Sequence, residues 1–491
     1  MKSLRCRLLL AAAVLSLGAG AQPVVTASFL DQLPPGERWL AHLHDDLLPF
    51  WNLNDAWGRP RGNFPTFRCN DGHRFDVARP CPELAQAPAW MQAEQGRDYI
   101  RMQARQTYFY GVAFHLTGDP KMLALARDGV TFLRRQNLDA ASGSAVTWRE
   151  SGRAGPPELQ RTTQDLAYAQ LGMAMYWYLT RDEAVLKDIL RLKEHIFARY
   201  WDPKRNALRW TVEDDPALGE ASSQRQELVA QLDQVNAYML LLAPLLPEPH
   251  RSAWTADLVL LARLMVRDYW APGQQLFRGT LPLAEAQMLG TRHVDFGHSA
   301  KALWMIERIG RLAGEPDLVA FATAQGQHLL QRAYLEDTGS WASRPLADGT
   351  LDEGKEWWIY AELDQLAATL ALADPAPTRY LVRSTRFWLA HQVDPVGHEV
   401  WGWVDADGAA RPGSVKIHPW KSGYHSAEHA LVNYLAAQSL QRRPAVLYFA
   451  FADAAAARPY FFAASETSRR SEPLPGFAPL RRVRVEFSDL R

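Results

Sequence analysis

Between residues 97 and 440 apolar side chains recur at intervals of three and four positions, and runs of β-branched residues are few. That period is the spacing of one face of an α-helix. It predicts helices over 97–117, 120–136, 161–179, 182–199, 227–246, 250–269, 298–312, 316–334, 356–373, 377–392 and 421–439, with a twelfth over 29–48. Turn phrases separate paired helices: TGDPK at 117–121, TRDEA at 180–184, LPEPHR at 246–251, LAGEPD at 312–317 and LADPAP at 371–376. They return roughly every 60 to 67 residues, the length of two helices and their connections.

The remaining connections are longer and mix aromatics with glycine, as in YWDPKRNALRW at 200–210, YWAPGQQLF at 269–277, YLEDTGSW at 334–341 and VDPVGHEVWGWVDADG at 393–408. Some are expected to be small hairpins. Six helix pairs can close into a ring with one helix of each pair inside and the long loops gathered at one end. After Gln441 the pattern changes to LYFAFAD, PYFFAA and RVRVEFSDL, short aromatic or β-branched runs. The expectation is an all-α domain over 22–440 with an irregular or strand-containing extension, 441–491, packed on it.

The first residues read as an address. Lys2, Arg5 and Arg7 precede an apolar run from Leu8 to Leu17, and Ala19-Gly20-Ala21 supplies the small residues of a cleavage site. A signal peptide over 1–21 and a periplasmic or secreted protein follow as expectations. The run is short for a bilayer, and no later stretch of about 20 residues is free of charge, so stable membrane insertion is not expected. Lys+Arg and Asp+Glu are both 54, without a long basic block, which argues against a nucleic-acid partner. Outside the signal only Cys69 and Cys81 remain. An oxidising compartment permits a disulfide between them, and two partly buried thiols are the alternative.

Candidate chemistry starts from the aromatics, 18 Trp and 16 Tyr, many at predicted loop and helix ends. Aromatic faces beside charged groups suit the apolar faces and hydroxyl rims of sugars; Trp357, Trp358 and Trp420 are the preferred pocket members. His298, in DFGHSAKALW, is read as opening a helix after Gly297, where the helix N-terminus disfavours imidazolium and leaves a neutral base. A capping or solvent-facing histidine is the plainer reading. His425, in HPWKSGYHSAEHALVNYL, also begins a helix, with Lys421, Tyr424 and Glu428 around it. His429 follows at i+4, but HSAEH lacks a zincin arrangement, and no metal site is expected. Arg101 and Arg105 share a helical face near Tyr108, where they can bind an oxyanion or point outward. Glu356 and Glu362 complete the set, Glu362 on the stripe of Trp358. Dinucleotide, phosphate-loop and nucleophile-elbow motifs are absent.

Taken in order, several phrases resemble the family of N-acylglucosamine 2-epimerases, with the related cellobiose 2-epimerases and aldose–ketose isomerases, over most of 35–440. QAR at 103–105 matches the family's QxR phrase and points to Arg105; GHSAK matches GHxxE and points to His298; WWIYAE at 357–362 brings an aromatic wall and Glu362; WKSGYH at 420–425 brings His425. The resemblance implies an (α/α)6 barrel and a 2-epimerase or aldose–ketose isomerase acting on the reducing end of a mono- or disaccharide. His298, His425, Arg105 and Glu362 would be catalytic. Trp357, Trp358, Trp420, Lys421, Tyr424, Lys301, Asn236 and Tyr108 would bind substrate. No cofactor is called for, and the protein would be a monomer or homodimer. Two positions depart from the family pattern: Lys301 replaces its glutamate, and Asn236, in DQVNAY, stands where a histidine is often found. A glycan hydrolase or lyase pairing Glu362 with Glu356, Asp295 or Asp165, and a non-catalytic saccharide-binding protein, remain alternatives.

Overall fold

The computed structural model describes residues 30–150, 162–411 and 413–491; the expected signal peptide lies outside them. Among the described residues there are twelve long helical segments, labelled here α1 to α12. They are α1 (36–51), α2 (Ile100–Thr117), α3 (120–137), α4 (Thr163–Thr180), α5 (Glu183–Tyr200), α6 (Leu228–Leu245), α7 (250–269), α8 (Phe296–Ala313), α9 (Pro316–Ala333), α10 (Trp357–Ala371), α11 (378–392) and α12 (Tyr424–Leu440). Each predicted helix is present. The first starts later than expected, because Pro34 and Pro35 keep the chain extended up to Gly36. α8 starts two residues earlier than the periodicity suggested, at the cap provided by Asp295.

The even-numbered helices form a closed inner ring, α2 beside α4, then α6, α8, α10, α12 and back to α2. The odd-numbered helices pack outside, with α1 on α12. This is an (α/α)6 barrel. Outer α5 buries a single stripe, Val185, Ile189, Leu192, Ile196 and Tyr200, whereas inner α4 is buried all round. That difference follows from position, since an inner helix faces the lumen on one side and the outer layer on the other. α6 is long and apolar enough to cross a membrane, but 89% of it is buried within the protein.

The turn phrases act as helix stops and starts. In TGDPK, Gly118 ends α2 at φ +70°, Asp119 caps α3 by accepting from the Lys121 amide, and Pro120 opens it. A Cβ at Gly118 would stand 2.7 Å from the Tyr448 ring. Tyr448 belongs to the C-terminal extension, a three-stranded antiparallel sheet of Ala445–Phe451, Arg481–Ser488 and Ser465–Pro473 in that spatial order. The sheet packs against the ends of α2 and α4, with Phe449 against His115 and Tyr178. Three of the long connections close as two-strand hairpins, Trp201–Asp202 with Ala207–Leu208, Trp270–Ala271 with Leu276–Phe277, and Tyr334–Leu335 with Ser340–Trp341.

Residues 52–98 form an insert between α1 and α2, and Cys69 and Cys81 are disulfide-bonded within it. A small core of Phe67, Leu84, Ala87, Met91 and Val415 docks the insert on the loop before α12. Asn70 bridges the same two segments, donating to the Ser414 carbonyl at 2.8 Å and accepting from the Lys416 amide at 2.9 Å. Replacing both cysteines by serine is expected to destabilise the closed loop by about 2–3 kcal/mol. Limited proteolysis should detect cleavage in the insert well before the barrel unfolds; cleavage at the wild-type rate would contradict this.

Candidate active site

A cavity of about 780 Å³ opens where the long loops gather. Its wall takes Arg105 from α2, Gln164 and Tyr168 from α4, Asp233 from α6, His298 and Lys301 from α8, Trp357 and Trp358 from α10, and His425 from α12. All lie in the first two turns of their helices, so six inner helices direct their N-terminal ends at one space. The partial positive charge of helix N-termini favours negative charge developing there. Loop residues His418, Trp420 and Trp403 complete one side, and the insert adds Trp90, 48% exposed, at the rim.

His298 is the third residue of α8. Asp295, the N-cap, accepts from the His298 amide at 2.7 Å and lies 2.7 Å from ring Nδ1. Burial works against the Asp295 charge, but His298 and the hydrogen bonds it donates hold the carboxyl below its ordinary range. An ionised carboxylate only accepts, so a proton is on Nδ1 and Nε2 is the nitrogen that remains for proton transfer. The surroundings of His298 thus differ from the expectation, which considered the helix end alone: an N-cap carboxylate brings a negative charge to that end. Gly297 makes room for the site, since a Cβ there would meet Trp358 at 2.7 Å and Ile359 at 2.8 Å. The His298 ring accordingly stands 4.7 Å from Trp358.

His425 approaches Trp358 from α12, at 6.2 Å between ring centroids. Its Nδ1 is 3.7 Å from Glu362 Oε1 and 3.9 Å from Glu428 Oε2, both beyond hydrogen-bond distance. The other oxygen of each carboxyl is engaged: Trp304 Nε1 donates to Glu362 at 2.7 Å, and Tyr460 Oη donates to Glu428 at 2.5 Å. Burial raises both carboxyls above their ordinary range. Burial also lowers His425 well below the usual histidine value, and the cations Lys301, Arg105 and Lys421 lower it further, so this ring is neutral near pH 7. The three ligand atoms of Glu362, His425 and Glu428 lie within 4.8 Å of one another.

The two arginines of α2 separate in role. Arg101 is ion-paired with Asp165 at 2.8 Å, donates to the Pro419 carbonyl at 2.8 Å and stacks on Trp420 at 3.7 Å, which secures the loop. Arg105 donates to the Trp420 carbonyl at 2.8 Å and lies 4.1 Å over the Tyr168 ring. Its Nε is buried without a hydrogen-bond partner, and among the described residues it has no carboxylate partner.

Five members of the expected set lie behind the cavity wall. Tyr108 Oη is 2.6 Å from Tyr460 Oη; Asn236 Nδ2 donates to Tyr424 Oη at 2.8 Å; Lys421 faces Glu399 at 3.5 Å; Glu362 lies beneath His425. His429 is one turn below His425 and is spent on Asp364, 2.7 Å from Nε2. Of the carboxylates considered for hydrolysis, Asp295 serves His298, Asp165 serves Arg101, and Glu356 accepts from Arg344 at 2.8 Å.

A family model described as N-acylglucosamine 2-epimerase (GlcNAc 2-epimerase) matches residues 83–428. The chain belongs to this family. Cellobiose 2-epimerase of Ruminococcus albus is 23% identical over an alignment of 398 residues, covering 78% of this chain and 94% of the relative. The solved cellobiose 2-epimerase of Spirochaeta thermophila DSM 6192 superposes with a TM-score of 0.68 at 19% identity, covering 85% of this chain and 99% of that one. A D-mannose isomerase gives 0.64 at 14% identity, covering 84% and 99%. Arg105, His298, Glu362 and His425 fall inside the N-acylglucosamine 2-epimerase span; the disulfide-bonded Cys69 and Cys81 lie before it, although part of the insert is inside, and the C-terminal sheet lies beyond it.

Asp233, Tyr460 and the capping role of Asp295, which was considered only as a carboxylate for hydrolysis, were not singled out from the sequence. Asp233 was detectable as the one charged residue in the mostly apolar 228–246, a placement that demands a buried partner. Asp295, three residues before His298, carried the signature of an N-cap. Tyr460 had no such signal, because its contact with Glu428 depends on how the C-terminal segment folds back.

Proposed function

We propose that the protein is a sugar 2-epimerase or aldose–ketose isomerase that acts on the open-chain reducing end of a mono- or disaccharide. The observation that carries this reading is that His298 and His425, on different inner helices, stand beside the same Trp358 in a cavity that also contains Arg105. A proton on C2 of an aldose is acidified by the adjacent aldehyde. One imidazole removes it, and charge develops on O1 as a cis-enediolate forms. The Arg105 guanidinium, without a carboxylate partner among the described residues, stabilises that charge more than it stabilises the substrate. Return of a proton to the opposite face of C2 by the other imidazole, which must be in its imidazolium form while the first is neutral, gives the epimer; return of the proton to C1, with the O2 proton passing to O1, gives the ketose. Glu362 supports His425 from below, and hydrogen bonds that are long without substrate commonly tighten with it. Trp357, Trp358 and Trp420 present faces for sugar rings.

An exported location is part of the same proposal. The Cys69–Cys81 disulfide supports an oxidising compartment, in keeping with the signal-like N-terminus.

Incubation with cellobiose, mannose and N-acetylglucosamine, with products separated by chromatography, tests the reaction class. A 2-epimer or ketose of one of them is expected. Release of new reducing ends from glycans, without interconversion of any free sugar, would favour the hydrolase.

Asp295→Asn isolates the support given to His298. Asparagine keeps the N-cap, so the melting temperature should hardly move, but the ionised acceptor that fixes the ring tautomer is lost. Proton transfer is expected to fall about 10²-fold, the lower end of what a positioned base contributes. Activity equal to wild type would contradict the orienting role.

A further inference from the structure

Lys301 stands on α8 one turn after His298, where the family phrase carries a glutamate. The carboxylate beside the His298 ring comes instead from Asp295, three residues before it. Lys301 is therefore free for a different task. Only 4% exposed, it nevertheless lines the cavity that holds Arg105, His298 and His425. Its Nζ donates to Asp233 Oδ1 at 3.0 Å and contacts Tyr168 Oη at 3.3 Å. An ammonium has three N–H donors, and two are thus occupied. Asp233 is itself held in place, because Tyr168 Oη donates to Oδ1 at 3.0 Å and Gln164 Nε2 to Oδ2 at 2.9 Å. These contacts fix the ammonium rigidly at the cavity wall with one donor in reserve.

Burial opposes the charge on Lys301, but Asp233, Tyr168 and Glu362 outweigh it and hold the ammonium above the ordinary lysine range. Lys301 consequently stays protonated through any working pH and cannot act as a base. A group of this kind can contribute only by attracting negative charge. A purely structural ion pair tying α6 to α8 is the competing role, and such buried pairs contribute little net stability.

We propose that Lys301 is a catalytic residue whose remaining N–H stabilises the enediolate oxygen alongside Arg105. The proposal rests on the proton-transfer reaction inferred above. In that step the C2–H bond breaks and the proton passes to an imidazole nitrogen. The C–H electron pair becomes the C1=C2 bond, and the carbonyl π pair moves to O1. Reprotonation reverses the flow, and Lys301 keeps its own proton throughout.

The test compares Lys301→Met, Lys301→Arg and the double variant Lys301→Met/Asp233→Asn with wild type. The double variant removes both charges together, so Asp233 is not left buried and unpaired. Exchange of the C2 proton into deuterium oxide is expected to fall about 10²-fold in Lys301→Met and in the double variant, with KM little changed and partial recovery in Lys301→Arg. The acid limb of kcat/KM should also move upward in the double variant, because one cation opposing protonation of His425 has gone. The other groups facing His425 remain: Glu362 from α10, Arg105 from α2, His298 from α8, and Lys421 and Glu428 from its own segment. A folded double variant that exchanges at the wild-type rate, with an unmoved acid limb, would overturn the role of Lys301 alone. Wild-type protein that exchanges no C2 proton would overturn the reaction itself, and the role of Lys301 with it.

Discussion

His425→Ala is expected to slow C2-proton exchange by about 10³–10⁴-fold, the upper range of what a positioned acid–base group supplies. His425 is 6% exposed and lies in the first turn of α12, where alanine is a good helix former, so the barrel should fold normally. The expected loss is large because burial and the surrounding cations keep this imidazole neutral, the form that accepts a proton. The sign of the pH dependence follows. A histidine whose pKa is lowered below 6.5 stays basic as pH falls through that value, so wild-type exchange should persist below pH 6.5 and fail only at lower pH. An acid limb at or above the ordinary histidine value would contradict the environment described for His425. Near-wild-type exchange in His425→Ala would remove it from the mechanism.

Arg105→Met should cost about 10²–10³-fold in kcat, the effect of removing one donor from a site that stabilises developing oxyanion charge. KM should change little if the guanidinium serves mainly the transition state. Arg101→Met provides the contrast. That variant breaks the ion pair with Asp165 and the bond to the Pro419 carbonyl, so it should loosen the Trp420 loop and lower thermal stability along with activity. Equal loss of kcat and stability in both variants would show that Arg105, too, is a loop clamp.

The fold was legible because its two kinds of helix leave different marks. On α5, Val185, Ile189, Leu192 and Ile196 trace one stripe, and phrases such as Gly118-Asp119-Pro120 stop one helix and start the next. Lumen-facing α4 and α10 show weaker periodicity than α5, but their largely apolar composition still marks them. Strand pairing in the C-terminal extension was not legible, since the order of Ala445–Phe451, Arg481–Ser488 and Ser465–Pro473 is set by contacts distant in sequence.

At the site, Arg105, His298, Trp357, Trp358, Trp420 and His425 share one cavity, as the ordered phrases suggested. Lys421 and Tyr424 adjoin His425 in sequence but face other partners, Glu399 and Asn236, because the loop and helix turn successive side chains in different directions. The pairing of Lys301 with Asp233 was hidden for another reason. Each is an isolated charge in its own apolar segment, and sequence alone does not say which inner helices stand side by side.

Incorporation of solvent deuterium at C2, followed by NMR in deuterium oxide with a reducing sugar the enzyme converts, reaches the central claim most directly. The account predicts that wild-type protein places deuterium at C2, and that His298→Ala and His425→Ala do so far more slowly. Conversion that proceeds without deuterium entering C2, or wild-type exchange rates in both histidine variants, would contradict it.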